Sequence, residues 1–239
     1  MKTMIAIPCM DTVQTEFAQS LMGLKLRGEV QHAFLSCSLI YKSRNDLADM
    51  AIQAGADYVL WLDSDVTFPS TLLIDLLEDI KGRDMVTGIY HMRRPPFRPV
   101  LWKTLKLGMT YEDNQVEPYD DYPDEIFEVD ACGFGCVLMR ASILQPIVDR
   151  YHDLFGPMPG FGEDLSFCIR ARSCGFTIHC DPKIQIGHKG SMIINQDTFR
   201  GFRAKVGDID RIDQNMKKDE TERRNDNAER VQAGAEDHD

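Results

Sequence analysis

No apolar run in this sequence approaches the roughly 20 residues that a membrane-spanning helix needs; the run Tyr58–Leu62 is only five long. The first apolar stretch, Ile5-Ala6-Ile7, is cut by Pro8 and stopped by Asp11, which is too short for the core of a signal peptide. The expectation from these absences is a cytoplasmic chain without membrane insertion. Positive charge is also scarce: 27 Lys and Arg stand against 38 Asp and Glu, for a net charge of −11. A surface that clamps a polyanion over its whole extent is thereby excluded, because phosphates need a positive field, although a local basic groove is not. None of the seven cysteines forms a C-x-x-C pair, which weighs against zinc and favours reduced, buried thiols over disulfides. No internal repeat is present. What the sequence does have is 43% apolar and 27% charged residues, the balance of a folded domain, in 239 residues that can bury a sizeable core.

Patterning then points to an α/β chain. Thr3–Pro8 reads as a buried strand ended by proline, Thr15–Leu26 as a helix and Phe34–Tyr41 as a second strand. Ser43 is placed to cap a helix carrying Leu47, Met50, Ala51 and Ala54 on one face and ending at Gly55. The continuous apolar run Tyr58–Leu62 fits a central strand. Pro69-Ser70 opens a helix whose apolar face uses Leu72, Leu73, Leu76, Leu77 and Ile80, and Met85–Tyr90 follows as a strand. Further on come strand-like runs on either side of Gly133 and Gly135, helices over 142–151 and 163–173, and a strand over 176–180. Strand and helix alternating in this way predict a mostly parallel central sheet flanked by helices, in one domain over residues 1–204. From 205 to 239 seven basic residues face eleven acidic ones with little apolar anchoring, the composition of a solvated helix or tail.

Three segments carry chemistry. Asp63-Ser64-Asp65 follows the apolar strand, where open α/β sheets place ligands, and carboxylate oxygens on such a turn suit Mg²⁺ or Mn²⁺; turn capping is the plainer role. Gly160-Phe161-Gly162-Glu163-Asp164 puts two carboxylates at a helix start, where one can accept a proton from an attacking hydroxyl, or where both simply complement the helix dipole. Ile186-Gly187-His188-Lys189-Gly190 holds a histidine in a glycine-flanked loop; neutral imidazole is a ligand for Mn²⁺.

The ordered series Ser43-Arg44-Asn45-Asp46-Leu47-Ala48, Ala54-Gly55-Ala56-Asp57-Tyr58, Leu62-Asp63-Ser64-Asp65, Gly162-Glu163-Asp164 and Gly187-His188 resembles GT-A-fold glycosyltransferases of the family 2-like group, over residues 3 to 190. The resemblance implies a GT-A-like (Rossmann-like) fold. It also implies metal-dependent transfer of a sugar from a nucleotide-sugar donor, a UDP-sugar by default, to an acceptor hydroxyl with inversion. By the same resemblance, Asp65, Asp63 and His188 would serve the metal, Mn²⁺ or Mg²⁺. Asp63, Pro8, Arg44 and Gly133 would border the donor, Asp164 would be the catalytic base, and Glu163 would orient acceptor or donor. The Gln-x-x-Arg-Trp signature of processive members is absent, which favours transfer of a single sugar.

Between His91 and Lys106 lie Arg93, Arg94, Arg98, Lys103 and Lys106 with no acid among them. This stretch can grip a donor phosphate or an anionic acceptor, with Arg93 and Arg94 as candidates, or it can pair with the acidic run Glu117–Glu125. A nucleic-acid acceptor is a further reading, for which the interleaved aromatics, Phe97 and Trp102, are few. Two other functions compete with sugar transfer. A nucleotidyltransferase would carry a glycine-rich phosphate loop after the first strand, where this chain has Pro8-Cys9-Met10-Asp11-Thr12; a non-catalytic nucleotide- or sugar-binding module would use the acidic turn only structurally.

Overall fold

A computed structural model describes residues 1–190, 193–196, 198–201 and 203. The chain begins with strict alternation: β1 (Lys2–Cys9), α1 (Thr15–Met22), β2 (Glu29–Ser36), α2 (Ile40–Gln53) and β3 (Tyr58–Leu62). After a two-residue strand β4 (Val66–Thr67) come α3 (Leu72–Asp79) and β5 (Met85–Ile89). The middle is built of β6 (Leu101–Lys106), β7 (Gln115–Pro118), β8 (Phe127–Glu128), β9 (Ala131–Cys132) and β10 (Cys136–Arg140). The remainder is α4 (Leu144–Tyr151), α5 (Glu163–Ser173), β11 (Ile178–Gln185), β12 (Gly187–Lys189) and β13 (Ile193–Ile194).

Seven strands form the main sheet in the order β2-β1-β3-β10-β5-β11-β8. Five of them run the same way, and β10 and β8 run against their neighbours. The period-2 alternation of strand side chains gives this sheet two buried faces. Met4 and Ala6 of β1, with Val59 and Trp61 of β3, pack beneath α2, α4 and α5. Ile5 and Ile7, with Leu60 and Leu62, pack against Phe17 of α1 and the leucines of α3. Both strands therefore need apolar residues at every position. The result is the α/β, mostly parallel sheet flanked by helices that the patterning predicts.

Four local expectations are corrected. The second strand is Glu29–Ser36, and Ile40 and Tyr41, expected in it, form the first turn of α2. The helix thus starts before Ser43, which is not a cap; it lies inside the helix, fully buried. The buried face of α2 is Arg44, Leu47, Ala48 and Ala51, whereas Met50, expected on that face, is exposed. The strand expected over 176–180 runs on to Gln185. It passes Pro182 through a shift in register between Asp181 and Gln185, since proline cannot donate to the ladder.

Two units divide the chain, Met1–Gln196 and Asp197–Asp239. The sheets and helices above belong to the first. The charged segment expected over 205–239 lies outside the described residues. Among the described residues no helix is long and apolar enough to cross a membrane.

Candidate functional site

Topology fixes where a ligand can enter. From β1 the chain crosses by α1 to β2 on one side, and from β3 it continues by α3 to β5 on the other. The crevice beyond the carboxyl ends of β1 and β3 is the switch point at which open α/β sheets bind ligands. A cavity of about 290 Å³ lies there, lined by Pro8, Cys9, Met10, Cys37, Ser38, Ile40, Arg44, Asp63, Ser64, Asp65 and Glu163. A larger one, about 580 Å³, lies at the opposite ends of the strands against Asp57, Tyr58 and Arg140 and holds none of the candidate residues.

The acidic turn is held at both ends by backbone. The Asp63 N–H donates to the Gly135 carbonyl at 3.1 Å, and the Gln14 N–H donates to the Ser64 carbonyl at 3.1 Å. Asp63 is engaged by Arg44, whose Nη2 donates to Oδ1 at 3.0 Å. Arg44 itself is buried in α2, with 3% of its side chain exposed, and its guanidinium lies over the rings of Phe134 and Phe155, 5.1 and 5.9 Å from their centroids. Those two rings pack with Trp61 and Phe167 in one aromatic cluster, which supports the site from beneath. Arg44 Nε also lies 3.7 Å from Glu163 Oε1 at the start of α5, so this one cation bridges the turn after β3 and the helix that brings Glu163 and Asp164. Replacing Arg44 by alanine leaves the half-buried Asp63 without its counter-charge. Urea denaturation is expected to show a loss of about 3 kcal/mol, which Arg44→Lys restores only in part because an ammonium cannot reproduce the guanidinium fork.

Asp65 meets His188 through a second, three-stranded sheet, β13-β12-β4. Val66 of β4 pairs with His188 of β12, and the Lys189 N–H donates to the Asp65 carbonyl at 2.8 Å. His188 Nε2 comes to lie 3.7 Å from Asp65 Oδ1. Its Nδ1 is 2.9 Å from the His91 carbonyl oxygen, which can only accept, so Nδ1 carries the proton. In the neutral ring the Nε2 lone pair then faces the Asp65 carboxylate. The other oxygen of Asp65, Oδ2, accepts from Arg93 Nη1 at 2.7 Å. Burial pushes the Asp65 carboxyl up, but His188 and Arg93 outweigh it and leave the group below the usual aspartate value.

Asp63 and Asp164 are shifted the other way. Burial raises the Asp63 pKa, with Asp65 and Glu163 adding to it against Arg44 and His188. For Asp164, burial and the adjacent Glu163 raise the value to about 6, although the Leu165 N–H donates to Oδ1 at 2.7 Å. Four carboxylates thus converge on two arginines and one histidine. That excess of negative charge is suited to a cation.

Of the candidates, Pro8, Arg44, Asp63, Asp65 and Glu163 line the cavity, whereas Gly133, Asp164, His188, Arg93 and Arg94 are not in its lining. Gly133 is buried, and a Cβ there would come within 2.0 Å of Tyr90 Oη and 2.7 Å of Val100 Cγ1, so its lack of a side chain serves packing around Tyr90. Arg94 is exposed. Arg98 and Lys103 pair with Asp120 and Glu117 at 2.7 and 3.0 Å, as the alternative reading of the basic stretch had it, whereas Arg93 does not join that pairing. Asp63, Asp65 and His188 do not form a closed ligand set: among the described residues no group of three or more His, Cys, Asp or Glu is arranged to hold a metal ion.

Tyr90 was not singled out by the sequence. Its ring stands edge-on to His188, with centroids 5.4 Å apart, and its hydroxyl accepts from the Gly135 N–H at 3.1 Å. Burial, then Asp63 and Asp164, push its phenol well above the ordinary value. The one available signal was its position, at the carboxyl end of a predicted parallel strand.

No protein-family model and no curated protein matches the chain. Solved structures do. A197 from STIV aligns with a TM-score of 0.53 at 18% identity, over 82% of this chain and 94% of that one. GalNAc-T7, solved with UDP, GalNAc and Mn²⁺, aligns with a TM-score of 0.51 at 10% identity, over 78% of this chain and 43% of that one. At these identities the likeness is one of fold, and the fold is GT-A-like.

Proposed function

We propose that this chain is a metal-dependent glycosyltransferase that moves one sugar from a nucleotide-sugar donor to an acceptor hydroxyl, with inversion. The observation that carries the reading is the pairing of Asp65 Oδ1 with His188 Nε2, 3.7 Å apart, beside the crevice at the sheet's switch point. A carboxylate facing an imidazole nitrogen forms an ion pair while that nitrogen carries a proton, and once the proton is gone the two offer a donor set that suits Mn²⁺. The fold neighbour solved with UDP and Mn²⁺ adds support for both ligands.

Asp65 and His188 would hold the ion, and Asp63, which lines the same crevice as Asp65, would contribute through bound water. When bound, the ion supplies charge stabilisation for the departing diphosphate. The chain's own residues do the rest. Pro8 and the Cys37–Ser38 turn form the wall against which the nucleotide rests, and Arg44 holds Asp63 in place. Glu163, on the same arginine, positions the reacting sugar or the acceptor. Asp164, with its carboxyl held at about 6, is ionised at neutral pH yet basic enough to take the proton of the attacking hydroxyl. Arg93 and Arg94 would meet the donor phosphates or an anionic acceptor.

The test is a panel of UDP-sugars incubated with the protein and Mn²⁺, with free UDP measured. Release of UDP from one donor, abolished by EDTA and restored by Mn²⁺, is the expected result. A panel in which nucleotides bind and stabilise the fold but none is turned over would favour a binding module instead.

A further inference from the structure

The segment that follows β5 touches both members of the Asp65–His188 pair. The His91 carbonyl fixes the His188 ring, and two residues on Arg93 donates to the Asp65 oxygen that does not face the histidine. The segment folds back on itself, with His91 bridged to Pro99 and the Met92 N–H donating to the Arg98 carbonyl at 2.9 Å. This leaves the Arg93 side chain 51% exposed while its tip sits on Asp65, which is only 24% exposed. A long, solvated cation therefore reaches in from a loop to neutralise a carboxylate at the crevice.

We infer that Arg93 is a built-in stand-in for the divalent ion: its guanidinium holds Asp65 until an ion arrives with the nucleotide diphosphate, which draws Arg93 away. The inference rests on the donor-site reading above and adds its regulation. Guanidinium and metal ion draw on the charge of one carboxylate from its two oxygens and repel each other there, so the ion binds poorly by itself. A diphosphate offers Arg93 a bidentate partner in exchange. Ion and nucleotide then bind cooperatively, and by linkage each tightens the other by the same factor. The ion would be taken up with the donor rather than kept resident.

The experiment is a Mn²⁺ titration of the full chain by isothermal calorimetry, alone and with saturating UDP. Wild type, Arg93→Ala, Arg93→Gln and Asp65→Ala are compared. Because the displaced pair is half-exposed, the two Arg93 variants are expected to bind Mn²⁺ alone about three- to tenfold more tightly than wild type. UDP is expected to tighten Mn²⁺ binding by a larger factor in wild type than in either Arg93 variant. Equal or weaker Mn²⁺ affinity in both Arg93 variants, with binding still lost in Asp65→Ala, overturns the stand-in and leaves the donor site intact. Mn²⁺ binding that is absent throughout, or that survives Asp65→Ala unchanged, removes the donor-site reading and this inference with it.

Discussion

Asp65→Ala is expected to lower Mn²⁺-dependent donor turnover on the order of a thousandfold, because the variant loses the carboxylate that pairs with His188 at the crevice. A metal ion acting on a leaving diphosphate contributes several kcal/mol of transition-state stabilisation, and each 1.36 kcal/mol is a factor of ten. The fold should tolerate the change. The Asp65 side chain engages Arg93 and His188, while the turn is held by the backbone bonds of Asp63, Ser64 and Asp65 to Gly135, Gln14 and Lys189. UDP release across a range of Mn²⁺ concentrations checks the effect. Turnover within threefold of wild type at saturating Mn²⁺ would remove Asp65 from the role.

Asp164→Asn should separate binding from chemistry. Asparagine keeps the size of the side chain at the start of α5 but cannot accept a proton, so UDP affinity should stay within about twofold while transfer falls by about 10²- to 10⁴-fold. The pH profile gives a second handle on the same group. With a carboxyl held at about 6, the base is protonated and idle below that pH and ionised above it. The rate should therefore climb tenfold per pH unit below about 6 and level off above. The residual activity of Asp164→Asn should lack that rise. A wild-type profile that is flat between pH 4.5 and 7.5 would contradict the assignment.

Central strands of this fold are legible because burial on both faces demands unbroken apolar runs, and Tyr58–Leu62 is such a run. The junction of β2 and α2 is not. Ile40 and Tyr41 continue the apolar character of Phe34 and Leu35, and α2 starts without a side-chain cap to announce it. The antiparallel β10, inserted between β3 and β5, leaves no local mark either, since its buried Val137, Leu138 and Met139 would suit either direction.

Within the site, the acids at 63, 65, 163 and 164 stand out because they sit at element ends beside glycines or apolar strands. What joins Asp65 to His188 is a ladder between strands of two and three residues, too short to leave any periodicity. Tyr90, and the pairing of Arg93 with Asp65, are hidden for another reason. Both depend on long-range approaches across 98 and 28 residues, to His188 and Asp65, that no spacing rule encodes.

A crystal structure of the protein grown with UDP and Mn²⁺ tests most directly whether one crevice receives a nucleotide diphosphate together with a divalent ion. The expected result is one Mn²⁺ bound by Asp65 and His188, the diphosphate on that ion, and uridine between Pro8 and the Cys37–Ser38 turn. A nucleotide seated elsewhere, or density for neither ligand at saturating concentrations of both, would contradict it.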